Sequence, residues 1–241
     1  MRSAWLVGGL LMPGLASAAE PSLSQMSFAG TPLSMMGMLA VMSLLPFAVL
    51  MLTSFSKIAV VLSLARSAMG TQQAPPTLVL TGLAAVLSGH IMAPVVERMY
   101  DAGQAVYEDV GSGARLLDAA GRVTEPLRAF LVKHGSPEER ARLVDLAREL
   151  RPPEEAEQVH EESLFVVIPA FVLTELKEAF QIGFLVFLPF LVLDMVVANV
   201  LLALGMQSLS PSQVSLPFKI LLFVAVDGWS LLARGLILGY R

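Results

Sequence analysis

The sequence predicts an all-α, membrane-associated protein, with apolar helical hairpins on either side of a small polar helical insert. Three observations carry this. Hydrophobic residues fill 55% of the 241 positions and charged residues 15%, with a mean hydropathy of +0.70, whereas soluble domains carry about 25% charged residues. Charge is also concentrated: residues 97–162 hold 15 acidic and 9 basic side chains, and the flanks are nearly charge-free. Finally, the flanks contain uncharged runs of the length that matches a hydrocarbon core roughly 30 Å thick.

The chain divides on this basis into residues 1–18, 19–97, 98–162 and 163–241. Met1-Arg2-Ser3, a short apolar stretch to Leu15 and Ala16-Ser17-Ala18 read as a cleavable signal peptide. The first apolar region follows, dense from Met35 to Leu64 and broken only by Pro46 and Lys57. A Pro-containing turn, Gly70 to Pro76, separates it from a second helix over Thr77 to Val96.

Within the insert, Pro126 to Lys133 and Pro137 to Leu150 read as helices opening on proline. Leu143, Leu146, Ala147 and Leu150 recur at helical spacing and predict the buried face of the latter. Gly111-Ser112-Gly113 and Gly121 mark loops. The C-terminal region reads as Leu164 to Leu173, Phe180 to Leu204 and Phe218 to Leu238, parted by Glu175-Leu176-Lys177-Glu178 and by the turn from Gly205 to Pro217. With the N-terminus outside, segment alternation and the acid-free loop at Arg66 place the insert in the periplasm. Pro46, Pro94, Pro169 and Pro189 lie inside apolar runs and predict kinks or breaks.

Several functions are excluded or disfavoured. A net charge of −4 without a Lys/Arg cluster argues against nucleic acid. The absence of cysteine removes thiolate chemistry and disulfides. His90, His134 and His160 are scattered, and no hydrolase, metalloprotease or Walker motif occurs. The sequence therefore implies no enzyme, no metal and no cofactor, and His90 reads as a helix-packing group.

The informative residues are the charges inside apolar runs: Lys57, Glu175, Lys177, Glu178, Asp194, Lys219 and Asp227. An isolated charge facing lipid costs about 2.5 to 3.5 kcal/mol. These seven are expected to face protein, water or each other, and three lysines against four carboxylates permit near-neutral pairing. Two roles stay open at this level, a polar conduction path and structural ion pairs that lock helices together. Gln181 and Asn199 read as interhelical hydrogen bonders. Asp194 and Asp227 as a proton-sharing pair would make an intramembrane hydrolase, but their flanks lack further catalytic context.

Longer ordered runs are more specific: Leu52-Thr53-Ser54-Phe55-Ser56-Lys57-Ile58, Gly70-Thr71-Gln72-Gln73-Ala74-Pro75-Pro76, and Thr174-Glu175-Leu176-Lys177-Glu178-Ala179-Phe180-Gln181-Ile182-Gly183-Phe184. Leu188-Pro189-Phe190-Leu191, Ser215-Leu216-Pro217-Phe218-Lys219 and Val226-Asp227-Gly228-Trp229 follow. In both apolar regions the chain resembles the core export-gate proteins of type III secretion, called FliP in flagella and SctR (YscR, HrcR) in injectisomes. The insert carries little of this resemblance.

The resemblance implies a subunit of helical hairpins that assembles as a pentamer with two small membrane proteins of the FliQ/SctS and FliR/SctT kinds, forming a cone at the bacterial inner membrane that sits largely above the bilayer plane rather than spanning it. Unfolded proteins would pass through its centre, driven by a separate ATPase and the proton gradient. It further implies a methionine gasket in the turn between the last two helices. Here that turn reads Gly205-Met206-Gln207-Ser208-Leu209-Ser210-Pro211, so Met206 and Leu209 are the pore candidates; apolar constrictions can gate by dewetting. Motif flavour favours the injectisome branch. The alternative is a secondary transporter of a small solute or ion, built on the same Asp, Glu and Lys side chains and on proline-broken helices.

Overall fold

The computed structural model describes residues 32–71, 73–109 and 116–241, and every element among them is a helix. In order these are α1 (Pro32–Met51), α2 (Phe55–Ala68), α3 (Thr77–Asp109), α4 (Leu116–His134), α5 (Pro137–Glu149), α6 (Pro153–Ala156), α7 (Leu164–Ala203), α8 (Pro211–Ala225) and α9 (Gly228–Leu238). The expected signal segment, residues 1–18, and the Gly111-Ser112-Gly113 loop lie outside the described residues. The chain forms two compact units, residues 1–44 and 45–241. In the first, the described part belongs to α1, where Met35, Met36, Leu39 and Met42 are exposed.

The second unit is organised around α2. Lys57, Ile58, Val61, Leu62, Ala65 and Ala68 are all buried, a helical spacing that makes one continuous stripe. Ile58, Val61 and Leu62 pack with Leu80 and Ala84 of α3, Ala179 of α7 and Leu236 of α9. A second cluster joins Met92 and Val95 of α3, Phe130 and Leu131 of α4, Val167 and Phe171 of α7, and Tyr240. Close approach of α2 to α7 needs a glycine: a Cβ on Gly183 would lie 2.2 Å from Leu64 Cδ1.

Helix limits differ from the expectation in instructive ways. The two C-terminal runs expected on either side of Glu175-Lys177-Glu178 are one helix, α7, of 40 residues. At 1.5 Å per residue it rises about 60 Å, roughly twice a hydrocarbon core. Its charges did not end it because Lys57 of α2 pairs with Glu175 and Glu178 while Lys177 points outward, toward Glu139. α3 likewise continues past Val96 to Asp109, so the expected boundary between residues 97 and 98 falls inside a helix. The expected loop glycine Gly121 lies within α4, which starts at Leu116, ten residues before the expected Pro126.

The prolines do not break the helices either. α1 runs through Pro46, α3 through Pro94 and α7 through both Pro169 and Pro189. The chain turns instead at Leu52-Thr53-Ser54 and at Asp227, which adopts a left-handed backbone with φ 49° and sets α8 and α9 at 58°. α7 ends in a glycine cap: Gly205 has φ 72°, its N–H donates to the Leu202 carbonyl, and Met206 N–H donates to that of Leu201. This reciprocal pattern satisfies carbonyls that a helix end would otherwise leave open.

In the insert, α5 follows the expected limits, with Ser136 before it and Pro137 opening it. Its buried face is not the expected one. Val144 is buried against Val159 and Val166, flanked by Leu143 and Ala147, whereas Leu146 and Leu150 are exposed. The docking of α5 on α7 turns the Val144 side inward. That docking is fixed by a hydrogen bond from Ser136 N–H to Thr174 Oγ1, 2.9 Å.

Among the described residues two helices are long and apolar enough to cross a membrane, or four if the bent pairs α1–α2 and α8–α9 each count as one span. Apolar side chains such as Phe165 at 83% and Leu221 at 67% lie bare on the surface of the chain. Soluble monomers rarely expose such contiguous patches; these faces belong against lipid or other subunits.

Candidate functional site

Two buried ionic clusters stand out. In the first, Lys57 lies on the inward stripe of α2, and Glu175 and Glu178 lie one turn apart on the facing side of α7. Lys57 Nζ is 2.9 Å from Glu175 Oε1 and 2.7 Å from Glu178 Oε2. Glu175 is wholly buried and Lys57 nearly so, while Glu178 reaches water at 44% exposure. Tyr240, beyond the end of α9, donates its hydroxyl to Glu175 Oε2. Its ring centroid lies 4.1 Å from Lys57 Nζ, a cation–π arrangement. Glu175 Oε1 has no well-aligned donor, so its contact with Lys57 is ionic rather than a directed hydrogen bond.

Aromatic packing closes this cluster on the insert side. Phe130 stacks on Tyr240 at 6.0 Å and His134 lies 5.0 Å from the same ring. Burial, then the neighbouring Lys133 and Lys57, lower the pKa of His134, against a smaller opposing pull from Glu178. α2, α4, α7 and the residues after α9 therefore meet at one polar knot.

The second cluster lies further along α7. Lys219 of α8 holds Asp194 Oδ2 at 2.7 Å and also approaches the Ala68 carbonyl at the end of α2, at 3.4 Å. Ser215, one turn before Lys219, donates to Asp194 Oδ1 at 2.5 Å. The first cluster ties α2 to α7, helices distant in sequence, and the second ties α7 to the following α8. A third, uncharged contact joins Ser54 and Ser88 at 3.0 Å between the start of α2 and α3.

The seven expected charges thus divide. Lys57, Glu175, Glu178, Asp194 and Lys219 are drawn together. Lys177 is exposed, 3.7 Å from Glu139 of the insert. Asp227 breaks the expectation of mutual pairing: it is exposed at the start of α9, and among the described residues its side chain forms no ion pair and no cap. Nor do Asp194 and Asp227 share a proton, since Asp194 is held by Ser215 and Lys219 while Asp227 lies past the far end of α8.

His90, Gln181 and Asn199 are exposed rather than packed between helices. Met206 and Leu209 sit in the turn between α7 and α8, each about half exposed at 48% and 46%. Among the described residues no group of three or more metal-ligating side chains forms.

The partners that sequence reasoning missed are Tyr240, Ser215 and Glu139. Tyr240 and Glu139 are single polar residues outside the ordered runs, and Ser215 lies in one of them without having been singled out as a charge partner. The one available signal was for Ser215, four residues from Lys219 and so on the same helix face.

An all-helical chain with membrane-length apolar helices, pinned by buried ion pairs and bare on its outer apolar faces, belongs to the class of membrane-associated helical proteins. Comparison with known proteins gives the particular group: the FliP family model matches residues 38–236, and the chain belongs to that family. It is 46% identical over 213 residues to the hypersensitivity response secretion protein HrcR of Ralstonia nicotianae, covering 86% of this chain and 97% of that protein. It is 43% identical over 205 residues to the Yop proteins translocation protein R of Yersinia pestis, covering 84% and 93%. Against the flagellar biosynthetic protein FliP of Caulobacter vibrioides it is 44% identical over 207 residues, covering 86% of this chain but 76% of that protein.

Proposed function

We propose that this chain is a core subunit of the type III secretion export gate, of the injectisome kind, through which unfolded proteins leave the cell. The observation that carries the reading is family membership over most of the chain, at more than 40% identity to secretion proteins. Injectisome-type secretion proteins among the similar relatives support the injectisome branch.

In this reading the chain acts by assembly, not catalysis. Several copies, five by family resemblance, join FliQ/SctS-like and FliR/SctT-like membrane proteins in the bacterial inner membrane, with residues 98–162 on the periplasmic side. The exposed apolar faces of α7 and α8 support this, being too extensive for a free monomer. The length of α7, about twice a bilayer core, supports a subunit that projects out of the membrane plane. Met206 and Leu209, half exposed at the α7–α8 turn, narrow the shared path. Lys57, Glu175, Asp194 and Lys219 hold the subunit's shape, because each is neutralised within the chain. That same neutralisation weighs against the small-solute transporter, which needs such groups free to bind cargo or protons.

Native mass spectrometry of the protein in mild detergent, expressed with and without its genomic neighbours, tests the reading. A homo-oligomer that gains two small membrane proteins is the expected result. A monomer or dimer indifferent to the neighbours would reject it, and solute uptake by the lone protein would establish the transporter instead.

A further inference from the structure

Helix α9 leaves one face bare. Asp227, Ser230, Leu231, Arg234, Gly235 and Leu238 are exposed, and their spacing of i, i+3, i+4, i+7, i+8 and i+11 makes one stripe. The other face is already used: Leu236 is buried in the core with Trp229 and Leu232 packed beside it. The stripe carries two charges of opposite sign, two helical turns or about 10 Å apart. Among the described residues neither the Asp227 nor the Arg234 side chain takes part in an ion pair or hydrogen bond. Both belong to the α8–α9 pair, which is apolar enough to count as one membrane span, where bare charges are strongly disfavoured.

We propose that this stripe is a contact between two copies of the chain, in which Asp227 of one copy pairs with Arg234 of the other. The inference rests on the assembly reading above. A second copy is the fitting occupant because its stripe carries both charges, so that in a ring each copy gives Asp227 to one neighbour and Arg234 to the other, whereas an anionic lipid headgroup would neutralise only Arg234. The small residues Ser230 and Gly235 between and beside the charges let a second helix approach closely. The bend at Asp227 matters as well: it turns α9 away from α8 by 58° and sets the carboxylate at the start of the stripe.

The chain has no cysteine, which makes the contact testable by disulfide formation. Asp227→Cys and Arg234→Cys are placed on separately tagged copies and co-expressed with the genomic neighbours. Within one chain the two positions stand too far apart for a disulfide, whose Cα atoms lie within about 7 Å. The expected result is a mixed-tag disulfide dimer formed several-fold more than either variant forms with itself. A complementary cycle uses Asp227→Asn, which suits the left-handed backbone, and Arg234→Gln. Each is expected to lower the assembled fraction by about tenfold and the double variant no further, as for partners in one contact.

An intact oligomer by native mass spectrometry with no mixed crosslink, or with additive losses in the cycle, overturns the contact and leaves the assembly reading standing. A chain that stays monomeric beside its neighbours overturns both. Transfer of the dependence on Asp227 to a different membrane protein, with oligomers of this chain unaffected, assigns the stripe elsewhere and also overturns it.

Discussion

Lys57 and Glu175 sit 2.9 Å apart inside the second unit, one on α2 and one on α7, with almost no exposure between them. Neither side chain could hold that position alone, because a charge left in a dry interior costs several kcal/mol. Tyr240 supplies the remaining hydroxyl donor to Glu175 and an aromatic face to Lys57. The pair therefore sets the register of α2 against α7 and anchors the chain beyond α9 to them.

Removing one member should be far worse than removing both. Lys57→Ala is expected to destabilise the protein by about 3–5 kcal/mol, because Glu175 is left buried and unpaired. Lys57→Met combined with Glu175→Leu should recover much of that loss. Chemical denaturation of the detergent-solubilised protein checks this, and additive losses would show that the pair is not coupled.

Lys219→Ala should cost less than Lys57→Ala, on the order of 1–2 kcal/mol. Asp194 is 35% exposed and retains the Ser215 hydroxyl, so water and one donor still serve it. The same denaturation assay ranks the two substitutions; a larger effect at Lys219 would contradict the ranking.

Gly183→Ala should weaken α2–α7 packing by about 1–3 kcal/mol, the usual cost of overfilling a tight core. The added Cβ would meet Leu64 Cδ1 at 2.2 Å and Leu64 Cβ at 3.1 Å. Leu64→Ala, destabilising by itself, should relieve part of the Gly183→Ala defect. Thermal unfolding of the single and double variants measures this coupling.

His134 should give stability a pH dependence. Its folded pKa lies below the ordinary imidazole value, so the unfolded chain binds the proton more readily. Its contribution is complete above the ordinary value near about 6.5 and is lost as pH falls from there through the lower folded value. His134→Phe should keep the packing on Phe130 and Tyr240 and flatten the profile on the acid side of about 6.5. Unfolding midpoints across that range provide the check.

Met206→Ala and Leu209→Ala together should leave assembly intact and loosen the closed gate, since both side chains are half exposed in a turn and carry little of the core. Leakage of small solutes across the membrane of cells expressing the full apparatus measures this, at unchanged oligomer yield. Loss of the oligomer would make these residues structural, and an unaltered barrier would move the constriction elsewhere.

What could be read from sequence follows its physics. Apolar content, the confinement of charge to residues 97–162 and the family runs determined the all-helical class, the membrane association and the kinship, because lipid-compatible composition and ordered motifs are properties of the chain itself. Continuity of helices was less legible: Pro94, Pro169 and Pro189 lie inside helices, whereas Asp227 turns the chain. A proline's effect depends on whether its surroundings carry the helix through, and a bend at Asp227 needs a backbone conformation that composition does not announce.

Only the tertiary structure decided which charges meet. Lys57 with Glu175 and Glu178, and Lys219 with Asp194, are separated in sequence by 121 residues at the longest and 25 at the shortest. Their pairing follows from how α2, α7 and α8 pack. Tyr240 and Ser215 joined those pairs for the same reason, and Asp227 was left out of them because its helix turns it to the surface. The sequence requires that buried charge be compensated; the geometry of packing chooses the partner.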